Sequence, residues 1–278
     1  PVHRAVAEQV EQLLVWDRAV RADAPDSVHQ MRVSARKIRS LLQAAEQLGS
    51  SYDAWILDEL RELGQVLGIA RDAEVLAERY RHALDALPPE LVGGRVRERL
   101  VKGAERRYQT GLRRSLTAMR SRRYFRLLDA LEALVAEPPP AAVEQTPIEE
   151  VVAAAYKRVR KAAKAAEAAA HADEEDHDEA LHKIRKRAKR LRYTAAAVGD
   201  SKVSELAKTV QSVLGDHQDS AVSREHLIQQ AEAAHAAGDY TFTYGVLYQQ
   251  ETELAEDSKQ QVEPALRKLK RAVRNATH

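Results

Sequence analysis

Apolar residues recur every three or four positions along almost the whole chain, the period that gathers side chains on one face of an α-helix. Met31, Ala35, Ile38 and Leu42 form one such stripe, and Ile184, Ala188, Leu191 and Ala195 form another. Good helix formers predominate around them, and only 11 glycines occur in 278 residues. The clearest break is EPPPAAVEQTP at 137–147, whose prolines cannot continue a helix. Leu87-Pro88-Pro89 separates two helices, and turns are expected at 49–51, at 199–201 and at Gly238-Asp239. Tyr240 to Tyr244 alternates as a strand would, but the run is short and isolated and reads as helical in this company. The pattern predicts an all-α fold of two helical-bundle halves, 1–137 and 148–278, joined by a proline-rich linker at 138–147.

Charge changes this picture more than composition does. Lys and Arg number 44 against 42 Asp and Glu, a net charge of only +2, yet the cations cluster in short runs. Local basic segments on a nearly neutral chain imply a focused positive region rather than general stickiness. The length is enough for two ordinary cores. There is no cysteine, which removes disulfides and thiolate metal sites and fits a reducing cytoplasm most easily. No stretch reads as a membrane span or a signal peptide. The chain begins at Pro1 rather than at a methionine, as an excised or processed region would, which leaves room for a preceding domain.

One basic phrase occurs twice. VHQMRVSARKIRS at 28–40 and LHKIRKRAKRLRY at 181–193 superpose at a constant offset of 153 residues, His29 on His182. The same offset pairs Arg32 with Arg185, Arg36 with Lys189, Lys37 with Arg190 and Arg39 with Arg192. At roughly 100° per residue, the positions of His29, Arg32, Arg36 and Arg39 fall within about 80° of one another around a helix. That is a cationic stripe built twice, each time bordering an apolar stripe that must face the core. A single basic run is ordinarily a solvated helix face. Here the apolar register and the cation positions recur together, which points to a groove or cavity. Like charges gathered in a partly dehydrated place raise the free energy of the protein until an anion neutralises them.

These residues resemble the CHAD domain, or conserved histidine α-helical domain, family, whose pattern H-x-[MI]-R-[VK]-x-x-[RK]-[RK]-[IL]-R both phrases fit without a gap. A second feature follows each phrase, a Leu-Gly pair shortly before an acidic residue. It reads QVLGIARDAEV with Gly68 and Asp72, and SVLGDHQDSAV with Gly215 and Asp219, 147 residues apart at the glycines. A third is Ser121-x-Arg123-Tyr124 leading into Leu127 and Leu128. The resemblance implies two helical subdomains facing each other across a basic channel, and a binding function directed at inorganic polyphosphate. It further implies recruitment to polyphosphate granules or to the enzymes that make and degrade the polymer. The residues alone reach only as far as a multiply charged phosphate ligand.

On this reading the polymer is expected at His29, Arg32, Arg36, Lys37, Arg39, His182, Arg185, Lys186, Lys189, Arg190 and Arg192. Arg113, Arg120, Arg123, Lys157, Arg160 and Lys164 are secondary candidates at the end of the first half and the start of the second. The repeat predicts an approximate two-fold relation, with His29 and His182 on opposite walls of one cavity. Each histidine suits a phosphate better than a metal, because two imidazoles make an incomplete zinc site and the neighbouring cations repel the ion. Asp72 and Asp219 read as helix N-caps or as carboxylates orienting an arginine. The acidic stretch at 171–182 reads as capping and solvation of a helix start, since its histidines are five and six residues apart rather than four. Arg267, Lys268, Lys270, Arg271 and Arg274 read as a solvated face. No cofactor and no metal is expected, and no catalysis, there being no phosphate-binding glycine loop. Nucleic acid is the alternative polyanion, disfavoured because aromatic residues are only 5% of the chain and leave few platforms for stacking bases. A phosphohydrolase or kinase accessory role is the remaining alternative.

Overall fold

The computed structural model describes residues 2–47, 52–136, 148–169 and 174–276, and within them every regular element is helical. The first five helices are α1 (Val2–Arg21), α2 (Ser27–Gln47), α3 (Ala54–Ala86), α4 (Gly103–Ala118) and α5 (Arg122–Ala136). After the linker come α6 (Ile148–Ala169), α7 (Glu174–Ala197), α8 (Ser201–Ala236) and α9 (Phe242–Ala276). A short 3-10 turn at Pro89–Leu91 and a π-helical segment at Glu98–Lys102 lie between α3 and α4. The predicted linker and the turn at 49–51 fall outside the described residues. No described helix is long and apolar enough to cross a membrane.

Local chemistry sets the helix ends. Asp53 caps α3 by accepting from the Trp55 N–H at 2.9 Å, and Asp200 caps α8 by accepting from the Val203 N–H at 3.0 Å. Gly199 and Gly238, at φ 84° and 71°, end α7 and α8 in the left-handed conformation that glycine tolerates. Asp72 and Asp219 do not cap: they lie inside α3 and α8, because the helices run on through the Leu-Gly pairs instead of starting after them. The alternating 240–244 run contributes its last three residues to the first turn of α9.

Sequential helices pack side by side, α1 on α2, α2 on α3 and α3 on α4, then α6 on α7, α7 on α8 and α8 on α9. The repeated apolar stripes are the centres of these layers. Met31, Ala35, Ile38 and Leu42 are fully buried in the first core, and Ile184, Ala188, Leu191 and Ala195 in the second. A third core joins the two sets, with Tyr80, Leu84 and Leu100 against Leu227, Tyr244 and Leu247. The Ser121-x-Arg123-Tyr124 stretch fastens α5: Ser121 Oγ accepts from the Tyr124 N–H at 3.2 Å, and the Tyr124 hydroxyl donates to buried Asp17 at 2.7 Å. Finally α2 packs on α7, which brings the two basic phrases together.

Candidate functional site

Each basic phrase lies on a helix whose apolar side is locked into a core, so its cations are carried to the edge of that core and no further. Arg32, Arg36 and Arg39 on α2 and Arg185, Lys189 and Arg192 on α7 are all half-buried. Their charges meet across the helix contact. Burial pushes the Lys189 ammonium down to about 7, and Arg36, Arg39, Arg185 and Arg32 push the same way. Arg36 is lowered by burial and then by Arg32, Arg185 and Arg39, with only Tyr193 acting in the opposite sense. Arg39 is lowered by burial and by Arg61, against a smaller pull from Asp58. The Nε atoms of Arg39 and Arg185 are buried and have no hydrogen-bond partner. Unpaired donors and crowded like charges both cost free energy, and a bound anion would relieve both.

The Leu-Gly pairs explain themselves at this point. A Cβ on Gly68 would lie 3.4 Å from Nε of Arg32, and a Cβ on Gly215 would lie 3.4 Å from Nε of Arg185. Each guanidinium thus lies flat against a bare stretch of the next helix, α3 or α8, and the same contact is made twice. Arg32 is held there by donating from Nε to the Gly64 carbonyl at 3.2 Å. Sequence reading gave the Leu-Gly pairs only as a family feature; in the fold they are seats for the two motif arginines.

The two histidines occupy different surroundings. His182 Nδ1 lies 2.7 Å from Gln218 Oε1, which also accepts from Arg185 Nη1 at 3.4 Å. The Gln218 oxygen thus accepts from both side chains, the imidazole donating from Nδ1. His29 is lowered by burial and by Arg71, while Asp26 and Glu74 pull it back. Asp219, inside α8, is open to solvent but hemmed in by protein, which pushes its carboxyl up; Arg185 and Arg79 oppose the rise, and Asp216 and Asp72 add to it. It therefore borders the motif arginine of its own half.

Other candidates spread outwards. Lys37 and Arg190 are half-buried on the flank of the stripes; burial lowers Arg190, then Arg158 and Arg187, and its Nε is buried without a partner. Lys186 is exposed. Arg192 donates to Gln211 at 3.4 Å and stands over the Tyr193 ring at 5.3 Å. Arg113 and Arg120 are exposed, with Arg113 donating to Thr110 at 3.2 Å. Arg123 is engaged with buried Glu59 at 2.6 Å, so the structure uses it to tie α5 to α3. Lys157, Arg160 and Lys164 are exposed on α6, and the α6 charge that bears on the motif is that of Arg158. Sequence reasoning missed Gln211, Gln218 and Arg71, though the 147-residue offset that pairs Gly68 with Gly215 also pairs Arg71 with Gln218. The five basic residues near the end of α9 are exposed, as expected.

The family model described as the CHAD domain matches residues 4–228, a span that contains both phrases and both Leu-Gly pairs. The chain belongs to the CHAD domain family. Its curated relatives include "Uncharacterized protein MT2285" of Mycobacterium tuberculosis (strain CDC 1551 / Oshkosh) and "Uncharacterized protein Rv2226" of Mycobacterium tuberculosis (strain ATCC 25618 / H37Rv). Each is 68% identical over 278 residues, covering 99% of this chain and 54% of the relative. The chain thus spans about half the length of the curated relatives it matches. Two solved structures share the CHAD domain's fold. "PptA from Streptomyces chartreusis" aligns with TM-score 0.74 at 19% identity over 96% of this chain and 98% of that one. The CHAD domain from the plant Ricinus communis aligns with TM-score 0.67 at 23% identity over 94% and 89%.

Proposed function

We propose that this CHAD domain binds inorganic polyphosphate, without catalysis, between the stripes of α2 and α7. The observation that carries the reading is the gathering of Arg32, Arg36, Arg39, Arg185 and Lys189, in which the strongest charges acting on Lys189 are all cations. A cluster of this kind is costly unless its ligand is an anion with charge at many successive positions. A single phosphate would satisfy one arginine, whereas a polymer spans both helices and gains effective concentration at the second from contact with the first. His29, His182, Lys37, Lys186, Arg190 and Arg192 supply the further donors around this centre. The role extends to holding the protein at polyphosphate-rich bodies in the cytoplasm, or beside the enzymes that build and degrade the polymer.

A binding titration tests this by comparing long polyphosphate, orthophosphate, single-stranded RNA and duplex DNA at matched salt. Long polyphosphate should bind far more tightly than orthophosphate and more tightly than either nucleic acid. Equal affinity for all three polymers would make the site a general polyanion binder. Tighter binding of RNA or DNA would replace the reading with a nucleic-acid one.

A further inference from the structure

At one place the two stripes are chemically unequal. The 153-residue offset sets arginine on arginine at Arg32 and Arg185 and again at Arg39 and Arg192, but between them it sets Arg36 on Lys189. Both side chains bring a cation, yet a guanidinium keeps its proton at any physiological pH, whereas an amine can lose one and then attack carbon. Of these six positions, Lys189 alone can become a nucleophile.

Its place in the fold favours the neutral amine. Ala188 and Leu191 are buried in the second core, which leaves the Lys189 side chain half-buried at the contact of α7 with α2. Arg36, Arg39 and Arg32 act on it from α2 and Arg185 from its own helix. The helices α6 and α8 also pack on α7 and contribute none of these four charges, and no carboxylate is among the groups that act most strongly. Burial and the arginines together bring the ammonium down to about 7 from 10.5. At pH 7 about half of it is free base, against roughly one part in three thousand for an ordinary lysine.

The same arginines select what reaches the amine. They draw in phosphate oxygens, and Arg39 and Arg185 each bring a buried Nε that has no hydrogen-bond partner. An electrophile that carries phosphate as its leaving group suits both features: the guanidinium groups hold the phosphate and stabilise its growing charge, while the free amine attacks the adjoining carbonyl.

We infer that Lys189 is a modification site, acylated by acyl phosphates that dock among Arg32, Arg36 and Arg185. The amine nitrogen bonds to the acyl carbon, and the bond from that carbon to the phosphate oxygen breaks with its electron pair on oxygen. The departing orthophosphate takes the amine proton, so no further reactant is consumed. The product is a neutral amide in the midst of the stripes. The inference needs only that the stripes hold a phosphate group; on the polyphosphate reading, acylation and the polymer exclude each other.

The test treats the whole protein with acetyl phosphate and follows acetylation at each lysine by mass spectrometry. At pH 7, Lys189 should react at least about tenfold faster than Lys161, an exposed lysine of α6. Its rate should level off above about pH 8, whereas that of Lys161 should keep climbing towards pH 10. Acetyl phosphate should favour Lys189 over Lys161 more strongly than a neutral acetyl ester of N-hydroxysuccinimide does, because the arginines hold only the phosphate. Arg185→Gln should erase most of that extra preference. Equal rates at the two lysines would overturn the inference, as would an acetyl phosphate preference no greater than that of the ester. Long polyphosphate should slow the reaction at Lys189 and spare Lys161. Fast acylation that polyphosphate does not slow would leave the modification site standing and count against the polyphosphate reading. Slow acylation of protein that binds polyphosphate would do the reverse.

Discussion

Two regions of this molecule hold half-buried cations whose partners set them apart. In the third core, Arg79 of α3 donates from Nε to Glu251 of α9 at 2.6 Å and from Nη2 to Ser220 of α8 at 2.8 Å. Glu251 also accepts from Ser223, and Tyr80 meets His226 at 2.9 Å, so the polar groups there answer one another. Arg79 is accordingly raised, chiefly by its bond to Glu251. At the stripes Arg36 and Lys189 are lowered, and what surrounds them is more arginine. Residue type and burial are similar in the two places; what differs is whether the protein supplies the counter-charge. Where it does, the cation fastens helices together, and where it does not, like charges are left facing one another.

The largest effects should come from breaking the fastened region. Glu251→Ala leaves Arg79 buried without its partner and should cost about 3–5 kcal/mol, read as a lower midpoint in urea. Ile38→Ala or Leu191→Ala, beneath the stripes, should cost on the order of 2–5 kcal/mol by leaving a cavity. Replacing Arg32, Arg39, Arg185 and Arg192 together by alanine should do the reverse. Polyphosphate binding should fall strongly, with helicity and melting temperature near normal, because none of the four forms a close ion pair with a carboxylate among the described residues. Unfolding of that variant would place the stripes with the fastened region and end the contrast.

Acid and base separate the two regions next. Lys189 has a folded value of about 7 against 10.5 for an ordinary lysine, so between these values the unfolded chain holds a proton that the folded one lacks. Stability from this group is therefore lost as pH falls from about 10.5 to about 7, and the full penalty stands below that. Lys189→Met should raise the melting temperature most below pH 7 and make little difference above about pH 10.5. A bound polyanion restores the charged form, so binding near pH 7 to 8 should take up protons, seen as a buffer-dependent heat in calorimetry. In the fastened region Arg107 donates to His226 Nε2 at 2.6 Å, which keeps the ring neutral, and burial and then Arg107 lower it to about 4 from 6.5. Its contribution should be lost between pH 6.5 and 4, and His226→Gln should flatten that limb of the stability curve while leaving the Lys189 limb untouched. The smallest effect is on salt dependence: log affinity for polyphosphate should fall linearly with log salt, by roughly 0.7 per phosphate engaged if the polymer behaves as a single-stranded nucleic acid does. A slope near zero would mean that the stripes do not act as one site.

Legibility followed the range of the interaction concerned. Met31, Ala35, Ile38 and Leu42 declared a buried helix face because helical period is a property of neighbouring residues, and the turns at Gly199 and Gly238 were visible for the same reason. The repeated phrase located both stripes, since an offset of 153 residues needs only comparison of the chain with itself. The cap reading of Asp72 and Asp219 failed because an acidic residue shortly after a glycine looks the same before a helix and inside one. Arg123 misled because its partner, Glu59, lies 64 residues away, where no local pattern points.

The order of residues alone therefore determined the helices, their apolar faces and the two sets of cations, all of which depend on spacing along one helix. Only the tertiary structure decided which cations meet, which are neutralised and why the glycines are there. It did so because charge partnering depends on distance through space: Arg32 fits against Gly68 and Arg185 against Gly215 only when α2 crosses α3 and α7 crosses α8. Lys189 feels Arg36 only when the two halves close on each other.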